Sequence, residues 1–292
     1  MSRLLLDSAK TIVTTDPSIL KPLSRHQWRK FSRRGIALML VLGVIVWEGS
    51  RKTPTPPAEG VALRGLTPSA APRPLRIGIF NIAGGVGADG KRDLHRTVQT
   101  LQGCDIVGLN EVHAGLPWQH SNQADWLGGQ LRMASLFAPT ERRWWQDDFG
   151  NGILSKLPCV HWQRFPLSTA LARSHRNVLL VRLQYEGRDI NVLVTHLDRH
   201  EDHDVEMRSI AELFLSLAEP AILLGDLNAS SREHEINRLQ HTAGVVDVTG
   251  EAAVQHRDSD WIFARGFRCI KAGLLEKGAS DHPFYWADLT LE

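Results

Sequence analysis

The sequence predicts one α/β (α+β) domain over residues 75–292. Short apolar runs that end at glycine or at polar residues are typical of buried strands, as at residues 75–81 and 221–228. Apolar residues at helical spacing recur between such runs, for example after Asp204. A composition of 42% hydrophobic and 23% charged residues is that of an ordinary globular protein. The length therefore fits one core with strands and helices in alternation.

The elements follow in chain order. Residues 75–81, 105–111 and 190–196 are predicted strands, and residues 221–224 are a predicted strand that runs into a turn at 225–228. The last third adds strands at 261–263 and 284–286. Helices are predicted around Leu94 to Leu101, around Ala124 to Leu131 and after Asp204, where apolar residues recur every three or four positions. This periodicity does not distinguish α/β from α+β.

Polar side chains stand at the ends of several predicted strands. They are Asn81, Glu111, His196, Asp226 with Asn228, and Asp281 with His282. Loops at one edge of a layered α/β fold gather such groups into a crevice. Alternatively, Asp226 and Asn228 form an Asx turn, and Asp281 with His282 forms a surface turn before Pro283.

Seven short motifs carry a family resemblance. They are F-N at 80–81, L-N-E-V at 109–112, G-N-G-I-L-S at 150–155, T-H-L at 195–197, G-D-L-N at 225–228, D-W-I-F at 260–263 and S-D-H at 280–282. In this order they resemble the endonuclease/exonuclease/phosphatase superfamily, which has the deoxyribonuclease I-like fold. The resemblance implies a four-layer sandwich of two packed mixed β-sheets with helices on the outer faces. Asn110 and Ala83 depart from the family, where Gln and, in some members, an acidic residue stand.

The resemblance also implies roles in phosphodiester hydrolysis. Mg²⁺, with Mn²⁺ as an alternative, would be held mainly by Glu111 with Asn81 and Asp281 nearby, because hard cations prefer oxygen ligands. Asp226 would orient or deprotonate water, and Asn228 would donate to a phosphoryl oxygen. Two histidines are expected to be hydrogen-bond donors or acid/base groups, and one of them needs a carboxylate to fix its tautomer. These are His196 and His282, with Asp260 as the expected partner of His282 and Asp258 as the competing one.

Substrate binding is expected from five further residues. Asn151 belongs to a family motif, and Arg176 matches a family arginine, for which a structural ion pair is an equal alternative. Arg142, Arg143 and Trp144 combine cations with an indole, a pattern that suits a nucleic-acid groove. The same residues also suit an aromatic cluster beneath a loop or a surface for lipid headgroups.

Charge and cysteine content narrow the function further. The chain has 34 basic and 32 acidic residues, a formal net charge of +2, and much of this excess lies in the first 34 residues. A near-neutral domain argues against tight non-specific DNA binding. Three cysteines without a C-x-x-C pair argue against a disulfide framework.

The N-terminal region is predicted to direct export. A basic tail (1–34) precedes an apolar segment (35–48) that resembles a signal anchor or transmembrane segment, and a Pro-rich linker (49–74) follows. The catalytic domain is therefore expected to be membrane-anchored on the extracytoplasmic side, or secreted. A buried N-terminal core helix is the alternative.

A metal-dependent nuclease is the leading functional hypothesis. A lipid phosphodiesterase or phosphoinositide phosphatase of the sphingomyelinase kind is the alternative, since a membrane tether would suit a lipid substrate. A non-catalytic, membrane-tethered binding module is a remote third hypothesis, because Glu111, Asp226, Asn228 and His282 are all present. No protein partner is predicted.

Overall fold

The computed structural model describes residues 25–50, 53–65, 74–115, 121–142, 148–167, 175–199, 202–252 and 259–292. The chain divides into two compact units, residues 1–49 and 50–292. In the first unit, the described element is helix α1 (Arg25–Ser50), which continues to the unit boundary.

The second unit contains fourteen strands and five α-helices within the described residues. The strands are β1 (Thr53–Pro54), β2 (Ala58–Gly60), β3 (Leu75–Asn81), β4 (Ile106–His113), β5 (Ala134–Arg142), β6 (Phe149–Ser155), β7 (Cys159–Pro166), β8 (Asn177–Tyr185), β9 (Arg188–His196), β10 (Ala221–Asp226), β11 (Val245–Asp247), β12 (Asp260–Arg265), β13 (Phe267–Leu275) and β14 (Phe284–Leu291). The helices are α2 (Leu94–Leu101), α3 (Gln123–Leu131), α4 (His203–Ser216), α5 (His234–His241) and α6 (Val248–Ala252).

The strands form two mixed sheets of seven. The first has the order β1-β5-β6-β4-β3-β14-β13, and the second has the order β11-β12-β10-β9-β8-β7-β2. Each sheet contains one parallel pair, β3 with β4 and β9 with β10. The other named pairs of the described strands are antiparallel.

Alternation along the strands produces the layers. In β10, Leu224 is buried in the core between the sheets, whereas Leu223 packs with Phe214 of α4 on the outer face of the second sheet. Leu101 of α2 and Leu127 of α3 cover the first sheet in the same way. Because successive side chains of a strand point to opposite faces, each sheet is buried on both sides. The predicted four-layer sandwich is confirmed.

Residues 53–64 are attached to the domain, although residues 49–74 were predicted to be a linker. Strand β1 pairs with β5 of the first sheet, and β2 pairs with β7 of the second sheet. Arg64 then forms a bridge with Ser135 in β5. Proline fits here because β1 and β2 are short edge strands that need few ladder hydrogen bonds. We call residues 53–64 the edge segment.

Helix α1 covers the apolar segment predicted at residues 35–48. Its large apolar side chains are exposed, for example Leu38 at 60% and Trp47 at 62%. Among the described residues, no helix combines the length and apolarity needed to cross a membrane.

Candidate active site

Four site residues continue the inward faces of their strands. Ile77 and Ile79 of β3 line the core between the sheets, and Asn81 follows at the same spacing. The same spacing places His196 after Val194 in β9, and Asp226 after Leu224 in β10. Asp260 precedes Ile262 in β12, again on the inward face. The site therefore lies where the core between the sheets reaches one edge.

Asn81 joins the two sheets at this edge. Its Nδ2 donates to Asp226 Oδ2 at 3.0 Å and to Glu111 Oε1 at 3.2 Å. Its Oδ1 accepts the backbone N–H of Ala83 at 3.1 Å, which fixes the orientation of the carboxamide. The contacts bring the carboxylates of Asp226 and Glu111 together, although they belong to different sheets.

A bulge directs Glu111 into the site. The register of β4 with β6 shifts between Leu109 and Val112, and Glu111 has a left-handed φ of 54°. In a regular strand, Glu111 would share the outward face of Leu109, which packs under the outer helices. A β-bulge can turn one side chain to a new direction, and here that side chain is the predicted metal ligand.

Asn110 is a buried residue whose hydrogen bonds connect the strands of the site. Its Nδ2 donates to Asn151 Oδ1 at 2.8 Å and to the carbonyl oxygen of Thr195 at 3.0 Å, and its Oδ1 accepts the Asp226 N–H at 2.9 Å. The residue is fully buried. The sequence marks it as a departure from the family, and its bridging role between the two sheets was not predicted.

Asn151 belongs to the same buried network. Its Nδ2 donates to the carbonyl oxygen and to Oδ1 of Asn177, at 3.2 and 2.9 Å, while its Oδ1 accepts from Asn110. Asn177 in turn donates to the carbonyl oxygen of Pro139 at 2.8 Å. These contacts use the Asn151 amide within the protein and leave the residue 1% exposed. The geometry therefore shows Asn151 within a structural network, and its substrate contact stays a prediction.

His282 is held by Asp260. The Nδ1 and Oδ2 atoms are 2.7 Å apart, and His282 Nε2 lies 3.8 Å from Asp226 Oδ2. Burial lowers the pKa of His282, but the hydrogen bond and charge of Asp260, with the charges of Asp226 and Asp281, raise it to about 9. His282 is therefore a cation at neutral pH. The competing residue Asp258 lies outside the described residues.

Asp281 is exposed next to His282. Its Oδ1 accepts from the Ser280 hydroxyl at 3.2 Å. Among the described residues, no hydrogen bond joins Asp281 to Asn81 or Glu111. The predicted metal-binding role of Asp281 thus has only its closeness to His282 in its favour.

Asp226 lies between the two histidines. His196 Nε2 is 3.5 Å from Asp226 Oδ2. Burial raises the pKa of Asp226, but the charge of His282 and the N–H of Asn81 outweigh this effect and lower it. Burial, assisted by the charge of Arg176, lowers the pKa of His196 to about 3, so its imidazole is neutral. The site thus contains an ionised carboxylate, a neutral imidazole and an imidazolium.

Asn228 follows in a left-handed turn, with a φ of 48°. Its N–H donates to Asp226 Oδ1 at 3.1 Å, and its Nδ2 donates to the Leu197 carbonyl oxygen at 2.7 Å and lies 3.3 Å from His196 Nε2. Its Oδ1 accepts from Nε of Arg199. Arg199 was not predicted as a site residue, although it follows the T-H-L motif by two positions.

Arg176 lies beside this group, with a side chain 11% exposed. Its Nη2 is 3.8 Å from Asp198 Oδ2, and its guanidinium carbon is 6.0 Å from the ring centre of Phe149. That ring is 6.3 Å from the ring of His196. Both predicted readings of Arg176, an ion pair and a phosphate contact, agree with this position.

The side chains of the remaining predicted substrate residues lie outside the part of the chain that the structure describes. Arg142 ends β5 and pairs through its backbone with Thr53, but its side chain is not described. Arg143 and Trp144 lie outside the described residues.

The donor atoms of the site suit a hard divalent cation. Glu111 supplies a half-buried carboxylate, a ligand type that Mg²⁺ prefers. The predicted metal contact of Asn81 is not seen in this orientation, because its Nδ2 faces Glu111 and its oxygen accepts the Ala83 N–H. Asp226, Asp260 and His282 form a second group with ligand atoms within 4.8 Å of one another. Because Nδ1 of His282 is already bonded to Asp260, this group more closely resembles a hydrogen-bonded acid/base relay.

Several solved structures share this fold at low sequence identity. Humanized D. rerio TDP2 is 19% identical with a TM-score of 0.56, and the match covers 74% of this chain and 98% of that one. A mannosyl-6-phosphatase from Bacteroides thetaiotaomicron is 16% identical with a TM-score of 0.58, over 74% and 100% of the two chains. A family protein from Leptotrichia buccalis is 15% identical with a TM-score of 0.60, over 75% and 99%.

Sequence comparison gives the family directly. A comparison with curated proteins found no match. Residues 78–282, however, match the endonuclease/exonuclease/phosphatase family, and this range contains every site residue described above. The chain belongs to the endonuclease/exonuclease/phosphatase family, whose members are phosphoesterase hydrolases.

Proposed function

We propose that this protein hydrolyses phosphodiester bonds with the help of a divalent cation, and that nucleic acid is its leading substrate. The observation that carries the proposal is the environment of Asp226. Asn81, His196 and His282 approach its carboxylate from three different strands or loops. Buried ionisable groups with such specific charge partners cluster at functional sites.

Asp226 acts on the attacking water. Its lowered pKa keeps it ionised at neutral pH, so it can accept a hydrogen bond from water and orient or deprotonate it. Asn228 is fixed beside it through contacts at both ends of its carboxamide. Asn228 thus helps to position the phosphoryl group or the water.

His282 stabilises negative charge that develops on the phosphoryl oxygens. Asp260 binds Nδ1, so Nε2 is the nitrogen directed toward Asp226 and the reacting group. A fixed imidazolium donates a stronger hydrogen bond to an anion than a neutral donor does.

Glu111 would hold the metal ion, and Nδ2 of Asn81 would orient its carboxylate. Mg²⁺, or Mn²⁺ in its place, would supply positive charge for the scissile phosphate. One ionised side chain suits a cation that keeps several of its waters. Chelation should therefore abolish turnover and leave the fold unchanged.

A nucleic-acid substrate is supported by one structural relative. D. rerio TDP2 in complex with a single-stranded DNA product is 19% identical with a TM-score of 0.53, over 74% of this chain and 98% of that one. Arg176 beside Phe149 provides a cation and an aromatic ring near the site, a pairing that suits a polynucleotide.

A lipid phosphodiester is the second candidate substrate. The apolar side chains of α1 are exposed, and a basic stretch precedes them in the sequence. These features also support our proposal that residues 35–48 direct export and place the domain outside the cytoplasm. Fractionation of a tagged chain tests this location, and recovery only from the cytoplasm contradicts it.

One assay series separates the substrates. The full chain is incubated with plasmid DNA, single-stranded DNA, RNA, sphingomyelin vesicles and phosphoinositide vesicles, each with Mg²⁺ or EDTA. We expect Mg²⁺-dependent cleavage of a polynucleotide. Cleavage of lipid alone replaces the leading substrate, and no turnover of any substrate contradicts the enzyme assignment.

A further inference from the structure

His203 is a buried histidine that takes no part in the mechanism proposed for this site. It is the first residue of α4 and is 9% exposed. Three buried apolar residues continue the same face of the helix at helical spacing, namely Met207, Ile210 and Phe214. Because this face packs on the second sheet, the position of the helix fixes the position of the imidazole.

The imidazole of His203 binds the turn that carries Asp226 and Asn228. Its Nε2 is 2.8 Å from the carbonyl oxygen of Leu227, the residue between them. A carbonyl oxygen can only accept a hydrogen bond, so Nε2 carries the hydrogen in this contact. On the other side of the ring, Nδ1 lies 3.6 Å from Oε2 of Glu233.

The peptide group between Leu227 and Asn228 connects this contact to Asp226. The N–H of that peptide group belongs to Asn228 and donates to Asp226 Oδ1 at 3.1 Å. A peptide group is planar, so its carbonyl oxygen and its N–H point in opposite directions and turn together. A hydrogen bond from His203 at one end therefore fixes the direction of the N–H at the other end.

The backbone of this turn has an unusual conformation that other side chains also hold. Asn228 has a left-handed φ of 48°, which persists in a residue other than glycine only where surrounding contacts maintain it. Trp261 Nε1 donates to the Ala229 carbonyl oxygen at 2.8 Å, and Glu233 Oε1 accepts the Ser230 N–H at 2.9 Å. These two contacts lie further along the turn, whereas the contact of His203 is on the peptide group that reaches the Asp226 carboxylate.

We propose that His203 is a positioning residue that orients the carboxylate of Asp226 through the peptide group between Leu227 and Asn228. Among the described residues, no hydrogen bond or ion pair joins His203 itself to Asp226, Asn228 or His282. Its effect on turnover is therefore indirect. Displacements of about 1 Å can cost as much as a hundredfold in rate, so rotation of this peptide group has a measurable effect.

The test compares two amides that differ in reach. The side-chain nitrogen of glutamine lies close to the position of a histidine Nε2, so His203→Gln keeps a donor for the Leu227 carbonyl oxygen. The nitrogen of asparagine lies close to the position of Nδ1, so His203→Asn points its donor toward Glu233 and leaves the carbonyl oxygen without a partner. If His203→Asn does not fold, His203→Met replaces it, because Met fills the space without a donor.

His241→Asn is the matched control. His241 also has a ring nitrogen 2.8 Å from a backbone carbonyl oxygen, that of Asn237. This contact lies within α5 and does not involve the turn. The control therefore removes a histidine–carbonyl contact and leaves the peptide group next to Asp226 unchanged.

Two readouts are measured on the full chain. One is the NMR signal of the Asn228 backbone N–H and its rate of hydrogen exchange, recorded in EDTA. The other is kcat and KM for bis(4-nitrophenyl) phosphate with Mg²⁺. The inference rests on the proposed function for the kinetic readout only, since the Asn228 signal reports the peptide group even in a protein without turnover.

We expect His203→Asn to shift the Asn228 N–H signal, to speed its exchange and to lower kcat about tenfold, with KM within about threefold of wild type. His203→Gln should keep the signal and a kcat within about threefold of wild type. His241→Asn should change neither readout. The same Asn228 signal in His203→Asn and wild type overturns the proposal, as does an equal shift in His203→Gln. A shifted signal with an unchanged kcat also overturns it, and if the wild type shows no turnover, the NMR comparison decides.

Discussion

Asp260 and His282 are joined by a 2.7 Å contact between Oδ2 and Nδ1, across a separation of 22 residues in the sequence. Asp260 begins β12 and is fully buried, whereas His282 lies in the turn before β14. The carboxylate determines which imidazole nitrogen faces the site and keeps the ring protonated at neutral pH. The positive charge of His282 in this pair therefore contributes both to the site and to the stability of the fold.

The pair predicts a pH-dependent stability. The pKa of His282 is about 9 in the folded protein, above its ordinary value of 6.5. Its contribution to the unfolding free energy is fully present below pH 6.5 and is lost as pH rises through about 9. Asp260→Asn should therefore lower the melting temperature at pH 6, and its difference from wild type should shrink by pH 10. Thermal unfolding in EDTA, from pH 6 to 10, measures this difference.

The control for this prediction is a double-mutant cycle. His282→Asn should remove the same pH-dependent part, and the double variant should add no further pH dependence. A difference between wild type and Asp260→Asn that stays constant across the pH range would contradict the assignment of the raised pKa to this pair.

Asp226→Asn should abolish most activity without unfolding the protein. The amide cannot take a proton from water, and loss of such a group typically costs about 10²- to 10⁴-fold in rate. Asp189→Asn is the control, since Asp189 is an exposed carboxylate in the adjacent strand β9. Turnover of bis(4-nitrophenyl) phosphate and circular dichroism are measured together. Equal rates in the two variants would remove Asp226 from the mechanism.

Asn110→Ala should destabilise the domain and also disturb the site. It leaves the Asp226 N–H and Asn151 Oδ1 without their partner in a region closed to solvent. Each buried polar group left unsatisfied costs about 1–3 kcal/mol. Urea unfolding should show a loss in this range or above. Asn191→Ala is the control, because Asn191 donates to the Ala218 carbonyl oxygen far from the site. A loss no larger than in the control would contradict the bridging role.

Alternation of side chains explains which site residues the sequence could place. Asn81, His196, Asp226 and Asp260 continue runs of inward apolar residues at a spacing of two, so their convergence follows from strand periodicity once the family fold is inferred. Glu111 does not follow this rule. The position of its side chain depends on a β-bulge and a left-handed φ. The neighbouring residues in the sequence give no signal for either feature.

Contacts between residues that are far apart in the sequence explain which features of the fold and site could not be predicted. In the sequence, Asn110 stands out only as a departure from the family Gln. Its three partners lie on β6, β9 and β10, and none is its neighbour in sequence. Residues 53–64 were read as a linker because their prolines and short apolar content are typical of one. Their pairing with β5 and β7 depends on the open edges of both sheets, which only the assembled domain presents.

Removal of the edge segment should therefore weaken the domain. A chain that begins at residue 66 loses the Thr53–Arg142 and Ala58–Arg164 pairings and the 3.2 Å ion pair between Arg64 and Asp125. It also exposes two unpaired strand edges, which are sites of aggregation. We expect a melting temperature several degrees below that of a chain beginning at residue 50, since about 1 kcal/mol corresponds to about 2–4 °C at this size. Calorimetry and light scattering of the two chains measure both effects. Identical melting temperatures and equal solubility would show that residues 53–64 behave as the tether that their composition suggests.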